Sequence, residues 1–368
     1  MRIATVEAFA YDIAYSFGAY NMSDGRSQAQ ERSLVLRLTA DDGSIGWGET
    51  CPHGGTYLPA FFEGEVEAAR ILSNVILGAD PGQHMLLYTI MRKTLVGGMA
   101  AKSAIDVACW DLVATAARRP AAEMLGGVFY QSVPAFVPVS LDTAKHMQDF
   151  AAARKSEGFR DFQLKVGNDP HEDITRVEAV LDVLDANCRV IADANGGWNV
   201  REALIAGRAL RDLPVHLEQP CEALSDCGEV ARQTGLPLIV DECVNTLHDL
   251  VRAKTDAGAA GVNIKPGRVG GLTPAVRLRD TAAALGMTIT ADETWGGSIV
   301  SNELAHFAAS TSDHALLTTG LFSEWTSPDV SARPLLNADG TMTVPEGIGL
   351  GLGEIDSTHL KPLFKFSL

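Results

Sequence analysis

Five charged residues recur at nearly one interval along the chain: Lys165 in DFQLKVG, Asp193 in RVIADAN, Glu218 in PVHLEQP, Asp241 in PLIVDEC and Lys265 in GVNIKPG. The steps between them are 28, 25, 23 and 24 residues. Each charge closes a short apolar run and so stands at the end of a buried strand. A buried ammonium or carboxylate is costly unless it has a partner or a task. Three carboxylates brought together repel unless a cation sits among them. A hard divalent ion such as Mg²⁺ takes carboxylate oxygens and keeps positions for substrate oxygens. A lysine on either side of such a site is a candidate acid/base group. Strand-end acids also cap helices or pair with surface lysines. A regular interval shared by five strands argues for the joint site instead.

The elements that must position these residues follow from the rhythm around them. From about residue 132, VPAFVPVS, DFQLKVG, RVIADAN, PVHLEQP, PLIVDEC, GVNIKPG and MTITADE alternate with helical patterns, and ALLTTG follows SIVSNELAHFAAS. Repeated strand-then-helix units predict a parallel barrel wrapped in helices, with all strand ends at one mouth. An open doubly wound sheet would gather its polar ends at a single crevice. Residues 1–125 read as an α+β unit. RIATVEAFAYDI and SLVLRLTADDGSIGWGET alternate as strands, with Asp42-Gly43 as a hairpin turn, and EGEVEAARILSNVIL and AKSAIDVACWDLVATAARR have helical spacing. YNMSDGRSQAQE reads as a polar, mobile loop. The barrel is expected over 126–320. The proline- and glycine-rich segment 321–368 contains TMTVPEGIGLGLG, expected to return a strand to the first unit.

The 368 residues are 46% apolar and 21% charged, ordinary for a folded chain. A net charge of −16 argues against a nucleic-acid or anionic-membrane partner, but not against a small anion held by a metal or local lysines. Glu7 and Asp12 interrupt any secretory apolar run near the start, and no apolar run approaches the ~18 residues of a membrane span. The six cysteines show no C-x-x-C spacing and read as reduced, packed thiols, so a cytoplasmic location is expected. A homo-oligomer is expected as well.

DANGGW, LEQPC, VDEC, NIKPGRVGG and DETWGGS, with GWGETCP and AKSAIDVACWDL upstream, resemble the enolase superfamily in its muconate-lactonizing and mandelate-racemase branches. The resemblance covers essentially the whole chain. It implies an α/β fold, a modified TIM barrel of the (β/α)7β type under an N-terminal α+β capping domain. It also implies Mg²⁺ held by Asp193, Glu218 and Asp241, with Lys165 and Lys265 as acid/base groups on opposite faces of the substrate. Many relatives carry Lys-x-Lys at the second strand, where this chain has Gln163-x-Lys165. The catalytic lysine is kept and the assisting one is an amide, able to orient a carboxylate but without charge. The implied chemistry is removal of a proton beside a carboxylate, through an enediolate stabilised by the metal. Nearby cations are expected to lower the lysine pKa and keep the base neutral. Return of the proton to the opposite face gives an epimer; loss of a group from the next carbon gives a dehydration.

The surroundings suggest the substrate. Asp292 and Glu293 end the seventh strand and Trp295 follows, Glu324 and Trp325 lie beyond the eighth, and His53 and Tyr57 stand in the capping-domain stretch CPHGGTY. An acid among aromatic faces suits a cation, and a quaternary ammonium has no N–H to donate. Within the superfamily the pattern most resembles the hydroxyproline betaine 2-epimerases and proline betaine racemases. That implies Trp325 on the ammonium, Asp292 balancing its charge, and Tyr57 and Gln163 as further substrate contacts. Glu293 and Glu324 are expected to face solvent. The expected activity is therefore an Mg²⁺-dependent epimerase or racemase acting on a small carboxylate with a quaternary or secondary ammonium. The alternative is a cis-3-hydroxy-L-proline dehydratase on the same scaffold, for which the resemblance implies a threonine in place of the Asp292 sequence at the seventh strand, so ADETWGG leans toward epimerisation. A barrel that binds without catalysis is the reading from another class, and retention of both lysines and all three acids argues against it.

Overall fold

A computed structural model describes residues 1–368. The N-terminal unit is an antiparallel sheet of β1 (Ile3–Tyr15), β2 (Gln30–Ala40) and β3 (Ile45–Thr50). Alternate residues of a strand share a face, and Val6 and Ala8 of β1 with Leu34, Leu36 and Leu38 of β2 pack in one core with three helices. These are α1 (Phe62–Ile76), α2 (His84–Thr94) and α3 (Met99–Ala117). The alanine-rich α3 is buried on nearly every side and lies directly against β3. Two glycines of GWGET allow this: a Cβ on Gly48 would stand 2.1 Å from the Ala104 carbonyl oxygen, and one on Gly46 2.2 Å from that of Ala108.

Eight parallel strands follow: β4 (Ser132–Val139), β5 (Asp161–Lys165), β6 (Arg189–Asp193), β7 (Val215–Glu218), β8 (Leu238–Val240), β9 (Gly261–Ile264), β10 (Thr288–Ala291) and β11 (Leu316–Gly320). Each pairs with the next, and β11 pairs with β4 to close the barrel. Between them run α4 (Ala144–Ser156), α5 (Pro170–Leu181), α6 (Val200–Leu210), α7 (Leu224–Thr234), α8 (Leu247–Thr255), α9 (Leu272–Ala284) and α10 (Ser298–Ala309). The apolar runs predicted these eight parallel strands, and the resemblance implied their (β/α)7β form. Strands enclosed on both faces read as continuous apolar runs, and every residue of β5 is buried.

Two expectations about the remaining segments change. The strand that returns to the N-terminal sheet is β12 (Lys361–Ser367), antiparallel to β1. Thr341–Thr343, within TMTVPEGIGLGLG, pairs instead with β4 of the barrel. The stretch YNMSDGRSQAQE is not a free polar loop: Tyr20–Asn21 pairs with Ser27–Gln28, and Tyr20, Met22 and Ser23 are buried. Arg26 donates to the carbonyl of Asn195 at 3.2 Å, which ties this turn to the end of β6.

Carboxylates of the N-terminal unit fasten it to the barrel. Helices α9 and α10 begin at Gly271 and Gly297, which offer no capping side chain. Asp106 of α3 accepts from the Thr273 N–H at 2.8 Å and its hydroxyl at 2.6 Å. Glu49 of β3 accepts from the N–H groups of Gly297 at 3.0 Å and Val300 at 3.2 Å. Both acids sit where the positive end of a helix favours negative charge. All six cysteines are free thiols, and no helix is long and apolar enough to cross a membrane.

Candidate active site

The barrel mouth faces the loop 52–60 and the 20–28 turn of the N-terminal unit. In the sheet register Lys165 is the partner of Asp193, and Asp193 the partner of Glu218. Asp241 lies just past β8, whose Ile239 pairs with Glu218. The three acids are fully buried, and Lys165 and Lys265 are nearly so.

Each acid has its own partners. Lys165 Nζ donates to Asp193 Oδ2, which also receives Asn195 Nδ2 at 3.0 Å. Lys265 Nζ donates to Asp241 Oδ2 at 2.8 Å, while Arg268 holds Asp241 Oδ1. Glu218 lies in reach of no ammonium. Gln163 Nε2 donates to one of its oxygens at 3.0 Å and Asn263 Nδ2 to the other at 2.7 Å.

The electrostatics follow from these contacts. Burial, then repulsion from Asp193 and Asp241, pushes the Glu218 carboxyl far above its ordinary pKa. Burial opposes ionisation of Asp241 too, but Arg268 and Lys265 outweigh it and bring it down to about 2. For Lys165, burial favours the neutral amine, but the Asp193 carboxylate and Tyr20 favour the ammonium, and the net is a rise. Lys265 behaves alike, with burial opposed by Asp241 and Tyr57. The protein's own groups thus favour the ammonium on both lysines, and the lowering expected beside a divalent cation rests on that ion. The nearest charge to each is a carboxylate, and that decides the sign.

No three acids, imidazoles or thiols are drawn together as a ready metal cage; each acid leans toward its own cation. The donor chemistry nonetheless fits a hard divalent ion: three buried carboxylates on adjacent strand ends, all oxygen donors. Glu218, repelled by both neighbours, has the most to gain from a cation. Two further oxygens beside the acids, Asn195 Oδ1 and Glu242 Oε2, are buried without a donor.

The structure brings Lys165, Lys265, Gln163, Asp292 and Tyr57 to one small pocket, together with Tyr20, His53, Trp295 and Phe322. The Tyr57 hydroxyl accepts from Lys265 Nζ at 2.7 Å and donates to Asp241 Oδ2 at 3.2 Å. Asp292 Oδ2 accepts from Asn263 at 3.0 Å and lies 3.5 Å from Lys265 Nζ, while Oδ1 is buried with no donor. A second cavity of about 1300 Å³ lies outside, and Tyr57 lines both.

Trp325 is not in the pocket. After β11 the chain makes a tight turn at Phe322–Glu324, and Phe322 takes the pocket wall. Trp325 packs on Phe159 at 5.6 Å between ring centroids, with the Arg154 guanidinium 5.9 Å above its ring. The aromatic wall belongs to Trp295, 4.9 Å from Tyr20 and 5.0 Å from Phe322. Glu293 does not face solvent either: it is buried and accepts from the N–H groups of Gly267 and Thr294. Glu324 is half-buried, 3.8 Å from Arg333. Asn263 and Arg268 are two of the polar residues that sequence reasoning missed. Asn263 had a readable signal, since it precedes Lys265 by two positions, as Gln163 precedes Lys165, and a period of two places both on one strand face.

A closed (β/α)7β barrel under an α+β capping unit, with lysines flanking strand-end carboxylates, defines the architecture of enolase-type enzymes. Comparison with known proteins agrees. Residues 15–126 match the mandelate racemase/muconate lactonizing enzyme N-terminal domain, and residues 146–357 match the enolase C-terminal domain-like family. The chain belongs to the mandelate racemase/muconate lactonizing enzyme family of the enolase superfamily. It is 32% identical over 367 residues to the cis-3-hydroxy-L-proline dehydratase of Roseibium aggregatum, covering 100% of both chains. It is 28% identical to the N-succinyl-L-Arg/Lys racemase of Bacillus cereus, over 84% of this chain and 85% of that one. Among solved structures, a putative mandelate racemase/muconate lactonizing enzyme from Roseovarius nubinhibens ISM, complexed with magnesium, superposes with a TM-score of 0.96. It is 32% identical, with 100% of both chains covered.

Proposed function

We propose that the chain is an Mg²⁺-dependent enzyme that removes the α-proton of a small cyclic amino-acid carboxylate of the proline type, and that it dehydrates a 3-hydroxylated substrate. The observation that carries this reading is the pocket itself, where Lys165 and Lys265 come from well-separated strands and converge beside Asp292. Asp193, Glu218 and Asp241 are the residues to hold the ion, whose chemistry is to offset the charge on the substrate carboxylate as the proton leaves. Gln163 and Asn263 steady Glu218 from two sides, and Arg268 steadies Asp241. One lysine takes the α-proton from its face of the substrate. The unpartnered Oδ1 of Asp292 is an acceptor for the ring ammonium, and Tyr20, Trp295 and Phe322 exclude water. Full-length similarity to a dehydratase supports loss of water as the outcome.

A second reading, epimerisation of proline betaine or hydroxyproline betaine, is favoured by the presence of two lysines, because returning a proton to the opposite face needs both. Proton NMR in D₂O with Mg²⁺ separates the two. With cis-3-hydroxy-L-proline, dehydration consumes the compound; with proline betaine, epimerisation exchanges the α-proton and leaves the compound intact. Absence of exchange or consumption with either substrate would refute α-proton abstraction on this substrate class.

A further inference from the structure

His53 has a partner that epimerisation does not need. Its Nδ1 lies 2.6 Å from Glu31 Oε1, and both side chains are buried. The Tyr15 hydroxyl donates to the same carboxylate oxygen at 2.9 Å. Glu31 comes from β2 of the N-terminal sheet and forms no ion pair with a lysine or arginine, so the imidazole and the Tyr15 hydroxyl are its buried partners. A carboxylate on Nδ1 fixes the tautomer and orients the ring. The other nitrogen, Nε2, makes no hydrogen bond within the protein and is not sealed from the cavity. His53 lines the same pocket as Lys165, Lys265 and Asp292, with its ring 5.8 Å from Tyr57, 6.2 Å from Tyr20 and 6.5 Å from Trp295. Those neighbours are aromatic, and Glu31 is the one acid on the imidazole.

We infer that His53, polarised by Glu31, is a third proton-transfer group of this site: the general acid that protonates a hydroxyl leaving from the carbon next to the α-carbon. The inference rests on the α-proton-abstraction reading above. One lysine takes the α-proton, and the electron pair of that C–H bond becomes the new Cα=Cβ double bond. The Cβ–O bond breaks with its pair on oxygen, and the proton on His53 Nε2 turns the departing hydroxide into water. The imidazole is left neutral and the lysine charged; proton exchange with solvent resets both. Hydroxide is a poor leaving group, so this step is where an acid contributes. Exchange of the α-proton requires the lysines and the ion alone.

The test uses the full chain with Mg²⁺ in D₂O and cis-3-hydroxy-L-proline as the probe. In His53→Gln, water loss should fall about 100-fold or more, in the range of general acid catalysis, while α-proton exchange persists. A 3-chloro-proline, whose chloride leaves without a proton, should still be eliminated by the variant at close to the parental rate. Glu31→Gln leaves the imidazole in place and should slow water loss while sparing exchange. Parental rates of water loss in His53→Gln would overturn the inference. So would equal loss of exchange, water loss and chloride loss, which marks a merely structural residue. If the parent exchanges the α-proton but never releases water, the acid role fails and proton abstraction stands. If the parent neither exchanges nor eliminates, both fail together.

Discussion

Trp295 and Trp325 both neighbour Phe17, with ring centroids 6.3 and 6.5 Å from it, and of the two only Trp295 lines the candidate pocket. One ring therefore lines the pocket while the other packs on Phe159 outside it. This decides which tryptophan can serve an ammonium.

The two residues should separate in mutation. A desolvated cation–π contact is worth about 2 kcal/mol, or roughly 30-fold in affinity. Trp295→Leu should lower kcat/KM for an ammonium-bearing substrate by about that factor. Trp325→Leu should leave kcat/KM close to parental but cost about 2 kcal/mol of stability through the cavity it opens. Steady-state kinetics beside urea denaturation reads both. A large kinetic loss in Trp325→Leu with unchanged stability would return that ring to the substrate.

Lys165 and Lys265 should divide the substrate between them. Each is buried and tied to a different acid, Lys165 to Asp193 and Lys265 to Asp241. Lys165→Ala and Lys265→Ala should each abolish interconversion of enantiomers. Each variant should still exchange the α-proton of one enantiomer with D₂O, and the preferred enantiomer should be opposite in the two. Parental interconversion in either variant would remove that lysine from the chemistry.

The barrel was legible because its strands are short and largely buried, and five in succession end at or just before a buried charge. Lys165, Asp193 and Glu218 end their strands, and sheet register alone makes them neighbours. Trp325 was misplaced because sequence gives no direction to a residue past a strand: the Phe322–Glu324 turn sends Phe322 inward and Trp325 back onto Phe159. The returning strand was expected within TMTVPEGIGLGLG, yet Lys361–Ser367 takes that place, and its partner β1 lies more than three hundred residues away in the chain. Tyr20 and the Glu31–His53 pair escaped notice for the same reason, since their partners come from other elements.

Acid should weaken the fold through His306. The residue is fully buried in α10, and burial pulls its pKa down to about 4. Its Nδ1 accepts from the Ala122 N–H at 3.3 Å, which requires the neutral ring. The folded pKa lies below the unfolded value near 6.5, so the unfolded chain binds the extra proton as pH falls from about 6.5 to about 4. Stability from this group is present above that window and is lost within it, amounting to about 2 kcal/mol by pH 5. Asp106, raised to about 7 by burial, works in the opposite sense. The informative quantity is therefore the difference between parent and His306→Gln. Urea midpoints at pH 7 and pH 5 should show the parent losing more than the variant, and parallel losses would refute the assignment.

The site should depend on a divalent ion, and the dependence should be visible without turnover. Asp193, Glu218 and Asp241 are fully buried, and Glu218 is repelled by both of the others with only amide donors in reach. A cation that relieves this repulsion binds the folded chain and not the unfolded one. Saturating Mg²⁺ at about 100 times its Kd should add about 2.7 kcal/mol of stability. Calorimetry should give one binding event per chain, absent in Asp241→Asn and Glu218→Gln. EDTA should abolish activity and Mg²⁺ restore it. Glu218→Gln removes the most strained charge, so it should lose the ion while retaining or gaining stability in EDTA. Asp241→Asn should instead lose stability there, because it leaves Lys265 and Arg268 as buried cations without their shared carboxylate. Full activity after exhaustive chelation, or equal Mg²⁺ binding by both variants and the parent, would show that these acids hold no ion.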